Sequence, residues 1–302
     1  MSLYRKYRPD QLQDMIGNQE TISSITNMLK DPDRPHSFLF TGPTGCGKTT
    51  FGRILRTGLG CSDDDFREVD SADFRGIDTV REMRRQSQYR PKNGTCVIWL
   101  IDECHKMTND AQNALLKILE DTPKHIYFIL ATTDPQKLLP TIRGRCSTFA
   151  VKPLNDNQMM ALLRRTVKAE NASLQKAVYS QIIEDCQGLP RNALQTLDQV
   201  LRVEPEQRLE TAKTAAEELS QSIELCRALI KGEGWKKVAG ILSGLQNQDA
   251  VGVQKHILKY CRSILLKGEH EQAAHVMEEM IEPFFYTGHD GLLFACYSII
   301  KG

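Results

Sequence analysis

A chain of 302 residues can hold two or three domains, each with its own core. Its formal charge of +1, from 39 Lys plus Arg against 38 Asp plus Glu, excludes a protein that coats nucleic acid through overall charge, so any contact with phosphates has to come from a local patch. The nine cysteines are odd in number and scattered, with no CxxC pair, which argues against a disulfide framework and a thiolate zinc site and favours a reducing compartment. The first ten residues have no apolar core behind their charges, and no later run approaches the roughly 18 apolar residues of a membrane span. A soluble cytoplasmic protein with no membrane partner is expected.

Short apolar runs at 37–41, 66–69, 96–101, 126–131 and 147–151 alternate with helical patterns. Such alternation predicts an α/β domain with a parallel sheet of about five strands covered by helices. Between 108 and 121, the positions Ala111, Ala114, Leu115, Ile118 and Leu119 form one helical stripe behind Thr108 as N-cap, and Pro123 stops it. After Pro153 the strand signals end. Helices are expected at 156–169, 174–186, 191–202 and 210–218, followed by a helical block broken at Gly232, Gly234, Gly268 and Pro283. The expected domains are 1–152, 153–218 and 219–302.

The run Gly42, Pro43, Thr44, Gly45, Cys46, Gly47, Lys48, Thr49 fits the P-loop pattern G-x-x-x-x-G-K-[ST], between an expected strand and an expected helix. Glycines let the backbone wrap phosphates, so that N–H groups and the helix start at Thr49 and Thr50 face negative charge. Lys48 then reaches the β and γ phosphates and Thr49 supplies a Mg²⁺ ligand. Cys46 occupies a position where the pattern asks only for a small side chain. About fifty residues on, the apolar run from Val97 to Ile101 ends in Asp102 and Glu103. Two carboxylates at the tip of a buried strand fit Asp102 as a Mg²⁺ holder and Glu103 as the base that polarises a water for attack on the γ-phosphate. ATP and Mg²⁺ are the expected cofactors.

With Asp102-Glu103-Cys104-His105, Ala114-Leu115-Leu116-Lys117 and the run from Leu130 to Leu138 added, the chain resembles the AAA+ clamp-loader ATPases. The likeness is to the gamma/tau subunits of bacterial DNA polymerase III and, more distantly, to replication factor C small subunits. It runs in order from Tyr7-Arg8-Pro9 to Arg191-Asn192-Ala193-Leu194, about two thirds of the chain. The resemblance implies a AAA+ P-loop domain, a helical lid and a helical collar. It also implies a motor whose ATP binding organises a ring, a pentamer in this family, with other loader subunits around a sliding clamp and primer–template DNA.

Residue by residue, the resemblance implies that Thr133 is the sensor-1 residue that orients the attacking water, with Thr132 as the alternative one position earlier. Arg145 is implied as the arginine finger serving the neighbouring subunit, although Gly144 replaces the usual serine and Arg143 stands close by. Arg191, after Gly188-Leu189-Pro190, is implied as the sensor-2 arginine, and Arg8, Pro9, Ile16 and Gly17 frame the adenine. Relatives often carry a four-cysteine zinc module where this chain has 60–65 with Cys61 alone, so no structural zinc is expected. A tail that tethers some relatives to other replication proteins is not expected either, as in a short bacterial or a phage version.

Arg75, Arg81, Arg84 and Arg85 concentrate around one helix start. The resemblance turns this helix to the central chamber, so Arg75 and Arg81 are the candidates for DNA-backbone contacts without base reading. His270 and His275 are five apart and do not form a metalloprotease box, and both are expected at the surface. His105 is read as a structural or coupling residue, not a metal ligand. Val276, Met277, Met280 and Ile281 are read as core of the last block. Two other functions compete: a catalytically silent scaffold subunit, which Lys48 and Glu103 oppose, and another AAA+ DNA remodeller such as a branch-migration motor or helicase loader.

Overall fold

The computed structural model describes residues 1–71, 76–219, 221–245, 250–266, 268–282, 284 and 287–301. The apolar runs become five parallel strands: β1 Ser37–Thr41, β2 Phe66–Asp70, β3 Val97–Asp102, β4 Ile126–Thr132 and β5 Ser147–Ala150. Their order in the sheet is β2-β3-β4-β1-β5. The three inner strands are buried almost throughout, whereas β2 and β5 alternate with solvent, as edge strands must.

Because side chains alternate across a strand, the inner strands feed two cores. Leu39, Trp99, Ile101, Phe128 and Leu130 face one side, with Leu115 and Ile118 from helix Asn109–Glu120 and Val80 and Met83 from helix Ile77–Gln86. Phe38, Phe40, Ile98, Leu100 and Ile129 face the other, with Phe51 and Leu55 of helix Lys48–Gly58 and Ile25 of helix Gln19–Lys30. Phe40 stacks on Phe51 with ring centroids 5.6 Å apart. The expected N-cap is found: the Thr108 hydroxyl accepts the Ala111 N–H at 3.2 Å.

The later helices run Asp156–Ala169, Lys176–Asp185, Pro190–Val200 and Arg208–Leu219, and the last block is helical among its described residues. The chain divides into two compact units, residues 1–179 with 186–198, and residues 180–185 with 199–302. The second unit has its own core around Leu225, Leu229, Ile257, Val276 and Met280. Within it, Arg227 donates to the buried Asp185 carboxylate at 2.6 Å.

Two expectations for this block are corrected. Ile281 is 67% exposed, because helix Glu271–Glu279 ends before it and the apolar stripe does not continue past the cap. His275 is half-buried with Nε2 enclosed and without a hydrogen-bond partner among the described residues, since it lies inside that helix between the buried Ala273 and Val276. His270 is exposed, and its Nδ1 caps the helix by accepting the Ala273 N–H at 3.2 Å.

Residues 60–65, between helix Lys48–Gly58 and β2, are organised around the buried Asp65. Its carboxylate accepts the N–H groups of Lys92 at 2.7 Å, Asn93 at 3.0 Å and Gly94 at 2.9 Å, and the Ser62 hydroxyl at 2.6 Å. Burial alone would raise its pKa, but these donors outweigh it and hold the group well below the usual carboxylate range. A folded pKa below the unfolded one means stability that is present above about pH 4 and lost as pH falls through the folded value. Asp65→Asn is expected to cost about 1–3 kcal/mol at pH 7, read as the urea midpoint, with a gap to wild type that is constant down to about pH 5, narrows below about pH 4 and closes only as pH falls through the folded value. An equal midpoint at pH 7, or a gap already closed at about pH 4, would contradict the assignment.

Candidate nucleotide-binding site

Parallel strands end together, so β1, β3 and β4 deliver their following residues to one edge of the sheet. β1 is followed by the glycine-rich loop, which needs backbone that other residues resist: φ is +145° at Gly42, +80° at Gly45 and +113° at Gly47. A Cβ at Gly42 would stand 2.1 Å from the Val151 carbonyl oxygen. The loop leads into helix Lys48–Gly58, whose first N–H groups lack intrahelical partners.

Lys48 is only 5% exposed and donates to the carbonyls of Gly42 at 2.8 Å and Pro43 at 3.0 Å, so loop dipoles solvate its charge. The Thr49 hydroxyl donates to Asp102 Oδ2 at 2.8 Å, and the other Asp102 oxygen accepts the Glu103 N–H at 3.0 Å. Glu103 has φ +47°, the left-handed region, a strain that non-glycine residues carry mostly at functional sites. Its Oε2 accepts the Thr133 hydroxyl at 3.2 Å. Thr132 is fully buried and pairs with His105 instead. The geometry thus separates the two threonines.

Lys48, Thr49, Asp102 and Glu103 line a cleft of about 940 Å³ counted with its open mouth, a size that suits a nucleotide, while Gly42, Pro43 and Thr133 lie outside its lining. Arg8, Pro9, Ile16, Thr44 to Thr50, Asp102, Glu103 and Arg191 all line it, as expected from the sequence. Gly17 does not; it has φ +75° and underlies the wall, where a Cβ would come 2.6 Å from Leu154 Cδ2. Arg191 sits at the start of helix Pro190–Val200, its N–H on the Gly45 carbonyl at 3.4 Å and its guanidinium 5.8 Å from the Tyr4 ring centroid. Arg8 is half-buried, and burial together with the nearby Arg53 lowers its pKa.

The sequence reading missed Tyr4, Tyr7, Met15, Leu154, Leu162 and Arg165, which also line the cleft. The N-terminal arm brings the tyrosines there: Tyr7 donates to Glu170 at 2.5 Å, Lys6 pairs with the same carboxylate at 2.7 Å, and Arg165 holds the Asp14 carbonyl at 2.9 Å. Tyr7, directly before Arg8 and Pro9, was the available signal; the contacts of Leu154 and Leu162 are long-range and left none.

Arg145, Arg81 and Arg75 also stand outside the cleft or the described chain. Arg145 ends helix Pro140–Arg145, exposed, with its guanidinium on Glu120 at 2.5 Å and on the Thr141 carbonyl at 3.2 Å. Arg143 is half-buried, with Nε enclosed and without a hydrogen-bond partner among the described residues. Arg81 is exposed on helix Ile77–Gln86 and pairs with Asp78 at 2.9 Å, while Arg75 lies outside the described residues.

The residues present fit a magnesium-bound triphosphate: the loop leaves no room for a Cβ at Gly42, and a hydroxyl and a carboxylate, both hard oxygen donors, meet beside its lysine. Residues 64–155 match the protein family described as DNA polymerase III, delta subunit. The gamma/tau subunit of DNA polymerase III from Mycobacterium tuberculosis is 36% identical over 224 residues, 67% of this chain and 39% of that protein. The tau subunit from Escherichia coli is 30% identical over 261 residues, 78% of this chain and 41% of that one, and the gamma subunit from Buchnera aphidicola is 34% identical over 220 residues, 66% and 60%. The chain therefore spans from about two fifths to three fifths of the length of these relatives. They are bacterial, and the phage origin considered from the sequence finds no support in them. Among solved structures, the RuvB Holliday junction branch migration motor of Thermotoga maritima aligns with a TM-score of 0.62 at 17% identity over 78% of this chain and 85% of that one. A DNA polymerase III gamma subunit-related protein of the same organism aligns with a TM-score of 0.51 at 16% identity over 92% and 98%. At these identities the structures speak for the fold, and the sequence relatives for the branch within it. By both, the chain belongs with the AAA+ proteins of the clamp-loader kind, as a relative of the DNA polymerase III gamma/tau subunits.

Proposed function

We propose that this chain is an ATP-hydrolysing motor subunit of a DNA sliding-clamp loader. The observation that carries the reading is the Thr49–Asp102 hydrogen bond at the mouth of the P-loop, within a chain whose relatives are gamma/tau subunits. In this proposal Lys48 leaves the loop carbonyls for the β and γ phosphates, and Thr49 and Asp102 hold Mg²⁺, which would neutralise charge on the phosphates. Glu103 takes the proton of the attacking water, with Thr133 fixing its carboxylate. The apolar wall from Ile16 to Leu162 takes the base, and Arg191 reports the triphosphate to a lid formed by 153–218. Exposed Arg145, not half-buried Arg143, reaches the neighbouring subunit's nucleotide.

The ring, a pentamer with 219–302 as collar, assembles with other loader subunits in the bacterial cytoplasm. ATP binding organises it around clamp and primer–template DNA, and hydrolysis releases both. Arg75 and Arg81 supply phosphate contacts. A branch-migration motor is the second reading, since the RuvB branch migration motor shares this fold; the sequence relatives favour the first.

Steady-state ATP hydrolysis, measured with and without primed DNA and a sliding clamp, separates them. Joint stimulation by DNA and clamp is expected. Lys48→Ala should abolish nucleotide binding, and Glu103→Gln should lower kcat roughly 10²–10⁴-fold with nucleotide affinity kept within a few-fold. Stimulation by branched junctions, indifferent to clamp, would select the second reading, and no hydrolysis under any condition would reject both. Gly42→Ala, with its Cβ against the Val151 carbonyl, should weaken nucleotide binding at least 10-fold by calorimetry; unchanged affinity would mean that the loop is not the phosphate cradle.

A further inference from the structure

His105 is held between two strand tips. Its Nδ1 lies 3.2 Å from Glu103 Oε2 and 3.0 Å from Thr132 Oγ1, and only 12% of its side chain is exposed. Thr132 is a fixed anchor: its hydroxyl accepts the Asp134 N–H at 3.0 Å, and its backbone carbonyl accepts the N–H of Gly42, the first residue of the P-loop, at 3.3 Å. The chain of contacts therefore runs from the phosphate loop through the end of β4 and the imidazole to the carboxylate after β3.

Glu103 needs such a support. It follows a strand end in left-handed backbone, and its own χ angles would let the carboxylate swing away from any water it has to meet. Thr133 fixes Oε2 from one side. In the Nδ1–H tautomer the imidazole donates to the Thr132 hydroxyl, and Glu103 Oε2 lies 3.2 Å from the same nitrogen. One oxygen held from two directions orients the other, the arrangement that a general base requires.

We infer that His105 is a positioning residue for Glu103, bracing the carboxylate against Thr132 and so tying the base to the phosphate loop. This rests on the proposed role of Glu103 as base. The charged groups that face the ring are Glu103, Asp134, Lys106 and Lys137; burial lowers its pKa, Glu103 and Asp134 oppose this, and the lysines add to it.

Two measurements on the full chain test the inference. In the nucleotide-free protein, the His105 ring is followed by NMR through a pH titration. Glu103→Gln should move its midpoint to lower pH, because the carboxylate that favours the charged ring is gone; an unmoved midpoint would mean that the two side chains do not touch. In steady-state hydrolysis, His105→Ala should lower kcat roughly 10–100-fold with KM for ATP changed less than about 3-fold. His105→Asn, whose amide nitrogen can stand where Nδ1 stands, should recover much of that loss. Wild-type kcat in His105→Ala, or an Asn variant no better than Ala, would overturn the inference while leaving the proposed function in place. Full activity in Glu103→Gln would instead remove the base itself, and the inference with it.

Discussion

The hydrogen bond from Thr49 to Asp102 joins two parts of the chain that are 53 residues apart in sequence. One partner opens the helix after β1 and the other closes β3, so the contact exists only because β1 and β3 run parallel and end at the same edge. Everything else at the site is arranged around it. The loop before Thr49 turns on three left-handed glycines, and the residue after Asp102 carries the strained backbone that aims Glu103. Displace either strand along its axis by one residue and the hydroxyl and carboxylate no longer meet, because side-chain direction alternates with period two.

Charge is handled locally. Buried Lys48 rests on loop carbonyls, half-buried Asp102 on a hydroxyl and an N–H, and half-buried Glu103 on a hydroxyl and an imidazole. Among the described residues none of these ions is paired with a lysine, arginine or carboxylate, which leaves the lysine and both carboxylates able to exchange their partners for phosphate, metal and water. A tight lysine–carboxylate pair in the same place would be more stable and harder to recruit.

Much of this was legible in the residues. The inner strands are continuous apolar runs because they are buried on both faces, and the P-loop pattern and the paired acids are local. Asp156–Ala169 was legible to the residue because Asn155 and Gln158 form a capping box that marks its start. What escaped is non-local or lies at an element's end. Tyr4 and Tyr7 reach the cleft only because Glu170, over 160 residues away in sequence, holds the N-terminal arm. The acidic turn at 60–65 gave no hint that Asp65 gathers three backbone N–H groups from 92–94. Ile281 looked like core because the apolar stripe was extended two residues past a helix end that periodicity alone does not reveal.

A crystal of the full chain grown with a non-hydrolysable ATP analogue and Mn²⁺ in place of Mg²⁺ addresses the central claim most directly, because the anomalous signal of manganese locates the metal independently of the polypeptide. The account predicts one manganese peak between the Thr49 hydroxyl and the Asp102 carboxylate, with the triphosphate in the loop and Lys48 Nζ moved from the Gly42 and Pro43 carbonyls to its oxygens. A nucleotide bound elsewhere, or a metal that leaves the Thr49–Asp102 hydrogen bond undisturbed and sits remote from it, would contradict the account.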